Sequence, residues 1–501
     1  MRFRLICLTF ACALGAVLYF PLTASAEPRM MVGFQDDPSL RWRDDRQSVF
    51  DVAEAAHAGI VRTTVYWSRI AENRPANAAN PFDPAYRFDD LDEFVRNAGL
   101  HGMEVMLTIW GTPSWANGGK GQNFAPRRFA DLQNFTRALA SRYSGRFSGY
   151  PFVRYYTIWN ESNLGQFLSP QYVGGKPAAP RIYAALYRAA HAGIKAGNPR
   201  ALVGIGETSA RGRDKVLGRA GTQETESPGK FAQLLSQQRP VLRFDAWSHH
   251  PYSTAPNLPP TQRVRWPNVT LTQLPKFEES LELWFHKVVP IWITEYGYET
   301  KPGEPKGVTL SQQAAYARTA MNIAANDPRV SMFIWFIVRD DPTSAWQSGL
   351  LNRDGSRKPA FGAFSALAAK FDGRNPQISV KPGVSNPLVR YAALELWSRS
   401  GTGAKVGMTI AIYDGRRLLR TAQPVSTIGP DGWVQFHAPL RAVLEHNYYI
   451  TIKAGDIHGN FVNRSVLVRV PAPEKPVKKP AAKKPVAKKK PVKKPATKKK
   501  P

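Results

Sequence analysis

Two glutamates stand directly after apolar, β-branched runs of the chain. Glu161 closes Thr157-Ile158-Trp159-Asn160-Glu161, and Glu295 closes Ile293-Thr294-Glu295 ahead of Tyr296-Gly297. A pair of carboxyl groups can do what a single one cannot. One attacks an electrophilic carbon while the other gives its proton to the departing oxygen. Hydrolysing a glycosidic bond with retention calls for such a pair about 5–5.5 Å apart. Near other run ends stand Arg62, Trp110, Asn160, His250, Tyr252 and Trp335, with Glu207, Asp340 and Asp341 as further acids. His249 and His250 invite a metal reading. Adjacent residues of a strand point to opposite faces, and no spaced third ligand follows, so neither a metal nor a cofactor is expected.

These residues need a frame that brings run ends together. From Met30 onward eight short apolar runs alternate with helical stretches: 31–34, 60–67, 104–110, 153–159, 201–206, 244–248, 290–294 and 330–338. Near-continuous apolar, β-branched composition is that of strands buried on both faces of a parallel sheet. Between them, Phe129, Leu132, Phe135, Leu139 and Tyr143 recur at helical spacing. Asn198-Pro199 and Asp327-Pro328 punctuate helix ends before the fifth and eighth runs. Eight strand–helix units predict a (β/α)8 TIM barrel, whose reactive groups gather at the C-terminal ends of its strands. An open doubly wound sheet is the rival, and it lacks a G-x-G-x-x-G after its first strand. In the barrel, strands four and seven face each other, so Glu161 and Glu295 emerge at one rim.

Trp159-Asn160-Glu161 after strand four and Trp292-Ile293-Thr294-Glu295-Tyr296-Gly297 after strand seven resemble the clan of retaining β-glycosidases that includes the cellulase-like family five and the β-xylosidase-like family thirty-nine. The resemblance covers about residues 30–370, and Gly349–Phe364 is similar to the segment that closes such barrels. It implies Glu161 as acid/base, Glu295 as nucleophile and Asn160 as a partner of the sugar 2-hydroxyl. It further implies that Tyr252 supports the nucleophile and that Trp335 floors the subsite of the reacting sugar. Arg62, which matches the clan on strand two, is expected to partner the nucleophile, the alternative being an interior ion pair, and His250 to touch the site. Strand three ends in Trp110, where family five usually carries a histidine, which favours the thirty-nine side or an unassigned relative and leaves the substrate open. The clan makes no chemical use of acids placed like Glu207, Asp340 and Asp341, so these are expected to be loop or substrate-contact residues. Trp67, Trp110, Trp115, Trp159, Tyr296, Tyr298, Trp335 and Trp346 concentrate near strand ends, where aromatic faces suit sugar rings.

The rest of the chain concerns address and tethering. Residues 1–26 carry Arg2 and Arg4, a long apolar run and Ala24-Ser25-Ala26, the pattern of a cleaved secretory signal. Both cysteines, Cys7 and Cys12, lie within it, so the mature chain is expected to form no disulfide. The catalytic barrel is placed at 27–372. Residues 376–470 alternate apolar and polar positions between Gly-containing turns, which predicts a small all-β, immunoglobulin-like sandwich that braces the barrel. Residues 471–501 are Lys, Pro, Ala and Val in a loose repeat and should be disordered. The chain has 501 residues and 68 Lys plus Arg against 38 Asp plus Glu, a formal charge of +30. Thirteen of those lysines fall in 474–501, so much of the charge belongs to the tail. The expected product is a secreted, monomeric retaining glycosidase acting on a β-linked glycan, with no membrane span after signal cleavage. Its tail would meet anionic cell-envelope polymers rather than nucleic acid. The alternative is an inactive barrel that binds envelope glycan.

Overall fold

The computed structural model describes residues 30–371, apart from 102, 148–149, 218–222 and 343–345, and β-segments between 377 and 469. The leader at 1–26, with Cys7 and Cys12, and the basic tail at 471–501 lie outside the described residues.

The eight apolar runs are eight parallel strands: β1 (Met31–Gln35), β2 (Ile60–Tyr66), β3 (Glu104–Trp110), β4 (Tyr155–Ile158), β5 (Leu202–Ser209), β6 (Ala246–His250), β7 (Ile291–Tyr296) and β8 (Val330–Phe336). Each pairs with its neighbour in sequence, and β8 pairs with β1 through Gly33↔Ile334, closing the barrel. Eight principal helices follow them in turn, α1 (Arg46–Ala55), α2 (Asp89–Leu100), α3 (Phe129–Arg142), α4 (Ala179–Gly197), α5 (Pro228–Ser236), α6 (Leu274–Phe285), α7 (Leu310–Ala325) and α8 (Pro359–Phe371). The helical spacing read at 129–143 is α3, with Leu132, Phe135, Leu139 and Tyr143 buried. Among the described residues no helix is long and apolar enough to cross a membrane.

Two apolar layers hold the barrel. The outward faces of the strands pack on the helices in one large cluster that includes Trp247, Ile293, Phe333 and Trp335. Inside, Met31, Ile60, Met106, Tyr155, Ala246, Trp292 and Met332 form a plug, with Tyr155 and Trp292 edge to face at 5.5 Å. Gly204 makes room for it, because a Cβ there would stand 2.5 Å from Ser248 Oγ and 2.9 Å from the Trp292 ring. Continuing two residues from the plug along β2, β3, β4 and β6 gives Arg62, Thr108, Thr157 and Ser248. A polar layer therefore sits directly above the apolar plug.

Beyond the barrel, the described strands form two antiparallel sheets. One holds Gln377–Ser379, Leu388–Ala392 and Trp433–His437; the other is built on Lys405–Asp414. Val406, Met408, Ile410 and Ile412 are buried on alternate positions of that strand, the period-two pattern expected for the all-β region.

Candidate active site

Strand alternation alone would not aim all the acids inward. On β7, Trp292 and Thr294 follow the inward phase, so Glu295 would point to the helices. Instead Ile293 pairs with Phe333 and Tyr296 with Trp335, leaving one extra residue on β7. That bulge turns Glu295 into the barrel and Tyr296 outward. β5 does the same: Gly206 pairs with Ser248 and Thr208 with His249, and Glu207 is the extra residue. Gly206 takes φ of 100° and Glu207 takes φ of 44°. After β4 the backbone is also left-handed, at Trp159 (φ 72°) and Glu161 (φ 36°). Non-glycine residues held in that region carry strain of about 1–3 kcal/mol each, sustained by the packing around them.

Arg62, fully buried on β2, is the hub of the site. Its Nη1 lies 2.6 Å from Glu295 Oε1 and also donates to Gln35 Oε1. Its Nη2 lies 2.7 Å from Glu207 Oε2 and 3.3 Å from Asn160 Oδ1. Its Nε donates to Thr108 Oγ1 at 2.8 Å. His250, at the end of β6, is equally buried. Its Nε2 meets Glu207 Oε2 at 3.1 Å, and its Nδ1 stands 3.2 Å from Glu161 Oε1 and 3.6 Å from Glu295 Oε2. Because both oxygens approach one ring nitrogen, they are at most about 7 Å apart, which excludes most of the 6.5–9.5 Å range that leaves room for an inverting water.

Charge in this cluster is set by burial and pairing. Burial pushes the Glu295 carboxyl above its ordinary value, with the His250 and Arg62 charges opposing and those of Glu161 and Glu207 adding to the rise. Burial would likewise raise Glu207, but Arg62 and then His250 outweigh it and bring it down to about 2. Burial alone would lower His250; the Glu295 charge and the bonds to Glu161 and Glu207 raise it to about 10. His249 faces the other way. Its Nδ1 pairs with Thr208 Oγ1 at 2.8 Å and its Nε2 with Val269 O at 3.0 Å, and burial lowers it to about 3. Among the described residues no group of three or more His, Cys, Asp or Glu is arranged to hold a metal ion.

The cluster opens into a cleft of about 1200 Å³, lined by Asn160, Glu161, Tyr252 and Glu295 and by the aromatic rings of Trp42, Tyr66, Trp110, Phe167, Phe336 and Trp346. Of the rings anticipated near strand ends, Trp110 and Trp346 reach it. Trp67, Trp159, Tyr296 and Tyr298 are core residues, and Trp115 packs edge to face on Trp67 at 5.9 Å. Trp335 does not floor the cleft. It is fully buried on the outer face of β8, bonded through Nε1 to Ser348 O at 2.9 Å and packed edge to face on Phe364 of α8. Phe336, one residue on, faces the cleft in its place, as alternation requires. Tyr252 stacks on Tyr296 with centroids 5.8 Å apart, and its buried hydroxyl has no hydrogen-bond partner among the described residues. Arg62, not Tyr252, is the group bonded to Glu295.

None of the rival acids lines the cleft. Glu207 is fully buried between Arg62 and His250. Asp340 pairs with buried Lys358 at 2.7 Å, and Asp341 with Arg43 at 3.2 Å. The partnership of Glu207 with the site escaped the sequence because its inward aim depends on a bulge. The run Gly204-Ile205-Gly206-Glu207, with a glycine ahead of the acid, was the available signal.

An eight-stranded parallel barrel with two carboxylates converging at its C-terminal rim, beneath an aromatic cleft, is the architecture of a glycoside hydrolase. Residues 27–340 match the family model described as Cellulase (glycosyl hydrolase family 5). The chain belongs to glycosyl hydrolase family 5 and is an O-glycosyl hydrolase. Trp110 is thus a departure within family five and not a mark of family thirty-nine. Among solved structures, a family 5 subfamily 18 enzyme from Streptomyces cattleya, in complex with GlcNAc, is 18% identical. Its TM-score is 0.52, and the match covers 71% of this chain and 86% of that one. A family 39 glycoside hydrolase from Bacteroides cellulosilyticus WH2 is 16% identical over 83% of this chain and 82% of its own, with a TM-score of 0.48. The endo-β-1,4-mannanase of Thermotoga petrophila is 12% identical over 88% and 98%, with a TM-score of 0.42. At these identities the likeness is one of fold. No curated protein matches the chain.

Proposed function

We propose that the chain hydrolyses a β-linked poly- or oligosaccharide with retention, Glu295 acting as nucleophile and Glu161 as acid/base. The observation that carries this is the shared approach of both carboxylates to His250 Nδ1, at 3.2 and 3.6 Å, which keeps them too close for most inverting geometries. Glu295 Oε1 is committed to Arg62, so Oε2 is the oxygen left to attack the anomeric carbon. As that bond forms, the bond to the leaving oxygen breaks and Glu161 delivers its proton there. In the second half, Glu161 takes a proton from water while the water oxygen displaces Glu295. A cleft of about 1200 Å³ exceeds the 300–1,000 Å³ of an ordinary small-ligand pocket, which supports a chain of sugars as substrate.

The test is reducing-sugar release from a panel of β-linked polysaccharides and bacterial exopolysaccharides, with the wild type beside Glu295→Gln. Activity in the wild type alone, with the β-anomer as first product by NMR, is the expected result. Equal activity in both would remove Glu295 from the mechanism, and an α-anomer would remove retention. The leader and the thirteen lysines of 474–501 support secretion followed by retention at an anionic cell surface. Equal surface retention of 27–473 and the full mature chain would rule that out.

A further inference from the structure

Glu207 touches neither the cleft nor the place of the reacting atoms, yet it holds both cations of the site. Its Oε2 takes Arg62 Nη2 at 2.7 Å and His250 Nε2 at 3.1 Å. The partners of the His250 ring nitrogens are carboxylate oxygens: Glu207 on one side, Glu161 and Glu295 on the other. A neutral imidazole has one donor and one acceptor nitrogen, whereas an imidazolium donates from both. Ionised carboxylates only accept, and Glu207 faces Nε2 while Glu295 faces Nδ1, so this ring is matched to these two neighbours as a cation.

We propose that Glu207 is a positioning residue that keeps His250 a double donor throughout the reaction. The proposal rests on the retaining roles of Glu161 and Glu295. In the free enzyme Glu295 is the negative neighbour on the Nδ1 side. When Glu295 becomes an ester its charge disappears, and Glu161, its proton given away, becomes the negative neighbour. Glu207 is the anion that the chemistry never consumes. It holds the ring charged and aimed while the charge opposite it moves from one glutamate to the other. The titratable groups that face His250 are Glu161 after β4, Glu207 from β5 and Glu295 from β7; Arg62 from β2 shares Glu207 and Glu295 with it, while His249, its neighbour in sequence, faces away. The low value of Glu207 and the high value of His250 agree with this assignment.

The experiment follows the ring nitrogens of His250 by ¹H–¹⁵N NMR from about pH 5 to 9, assigned by the signal absent from His250→Gln. Wild type, Glu207→Gln and Glu207→Asp are compared, and the pH profile of kcat/KM is measured on each. In the wild type the ring stays charged across the range. In Glu207→Gln it titrates within the range, and kcat falls about tenfold or more at the alkaline end while KM changes less than about threefold. Glu207→Asp, which keeps the charge, restores the charged ring. A wild-type ring that titrates below about pH 8 overturns the proposal without any variant. So does a folded Glu207→Gln whose ring and profile match the wild type. The NMR arm needs no substrate, so its failure is distinct from failure of the retaining mechanism, which Glu295→Gln tests alone.

Discussion

Arg62 and Glu295 meet at 2.6 Å across the mouth of the barrel, one from β2 and one from β7. Arg62 is fully buried, and the Glu295 side chain keeps 13% of its surface exposed. The carboxylate of the proposed nucleophile is thus anchored to Arg62 through one oxygen, and the other stands 3.6 Å from His250 Nδ1. The anchor needs the β7 bulge, without which Glu295 would face the helix layer.

Glu295 lies above its ordinary value of 4.5, first through burial. Attack requires the ionised form, so kcat/KM should fall as pH drops through that raised value. The acid limb of the wild-type profile is expected above about pH 4.5. A limb at or below about pH 4 would show that Arg62 and His250 outweigh burial.

Phe336 and Trp335 are adjacent but belong to different faces. Phe336→Ala should raise KM for a polysaccharide with the melting temperature changed by less than about 3 °C. Trp335→Ala should cost about 3–5 kcal/mol of stability, as large-to-small changes of buried aromatics do. Urea unfolding beside steady-state kinetics separates the two; a KM effect confined to Trp335→Ala would reverse the assignment.

Lys358 Nζ lies 2.7 Å from Asp340 Oδ2 and 2.8 Å from Thr300 Oγ1, and all three residues are buried. Removing one partner leaves an uncompensated charge, so Lys358→Met should destabilise the barrel by about 3–5 kcal/mol. Its kcat per folded molecule should stay at the wild-type level. A large fall in kcat without loss of stability would return Asp340 to the chemistry.

Glu226 is fully buried, neither carboxylate oxygen has a partner among the described residues, and burial raises it to about 8 against the opposing Lys230 charge. Its folded value lies above the unfolded value of about 4.3. The stability it contributes is therefore present below about pH 4.3 and lost as pH rises through about 8. Glu226→Gln should raise the melting temperature at the alkaline end and change it little near pH 4. A melting temperature that moves equally at both ends would place the effect elsewhere.

The sequence by itself determined the barrel and the whereabouts of its chemistry. Eight apolar, β-branched runs alternating with helical stretches read as strands buried on two faces, and Glu161 and Glu295 follow the fourth and seventh of them. Adjacent residues of a strand diverge, so His249 and His250 were separable on paper, and they do face opposite ways. Tertiary structure alone decided which way Glu207, Glu295 and Trp335 point. On β5 and β7 an inserted residue breaks the period of two, and its position depends on the register each strand keeps with its neighbours. On β8 the period of two holds from Met332 to Phe336, and what had to be known was its phase against the barrel interior. A chain read one residue at a time carries the period but not the phase, because phase is set by the strands that lie alongside.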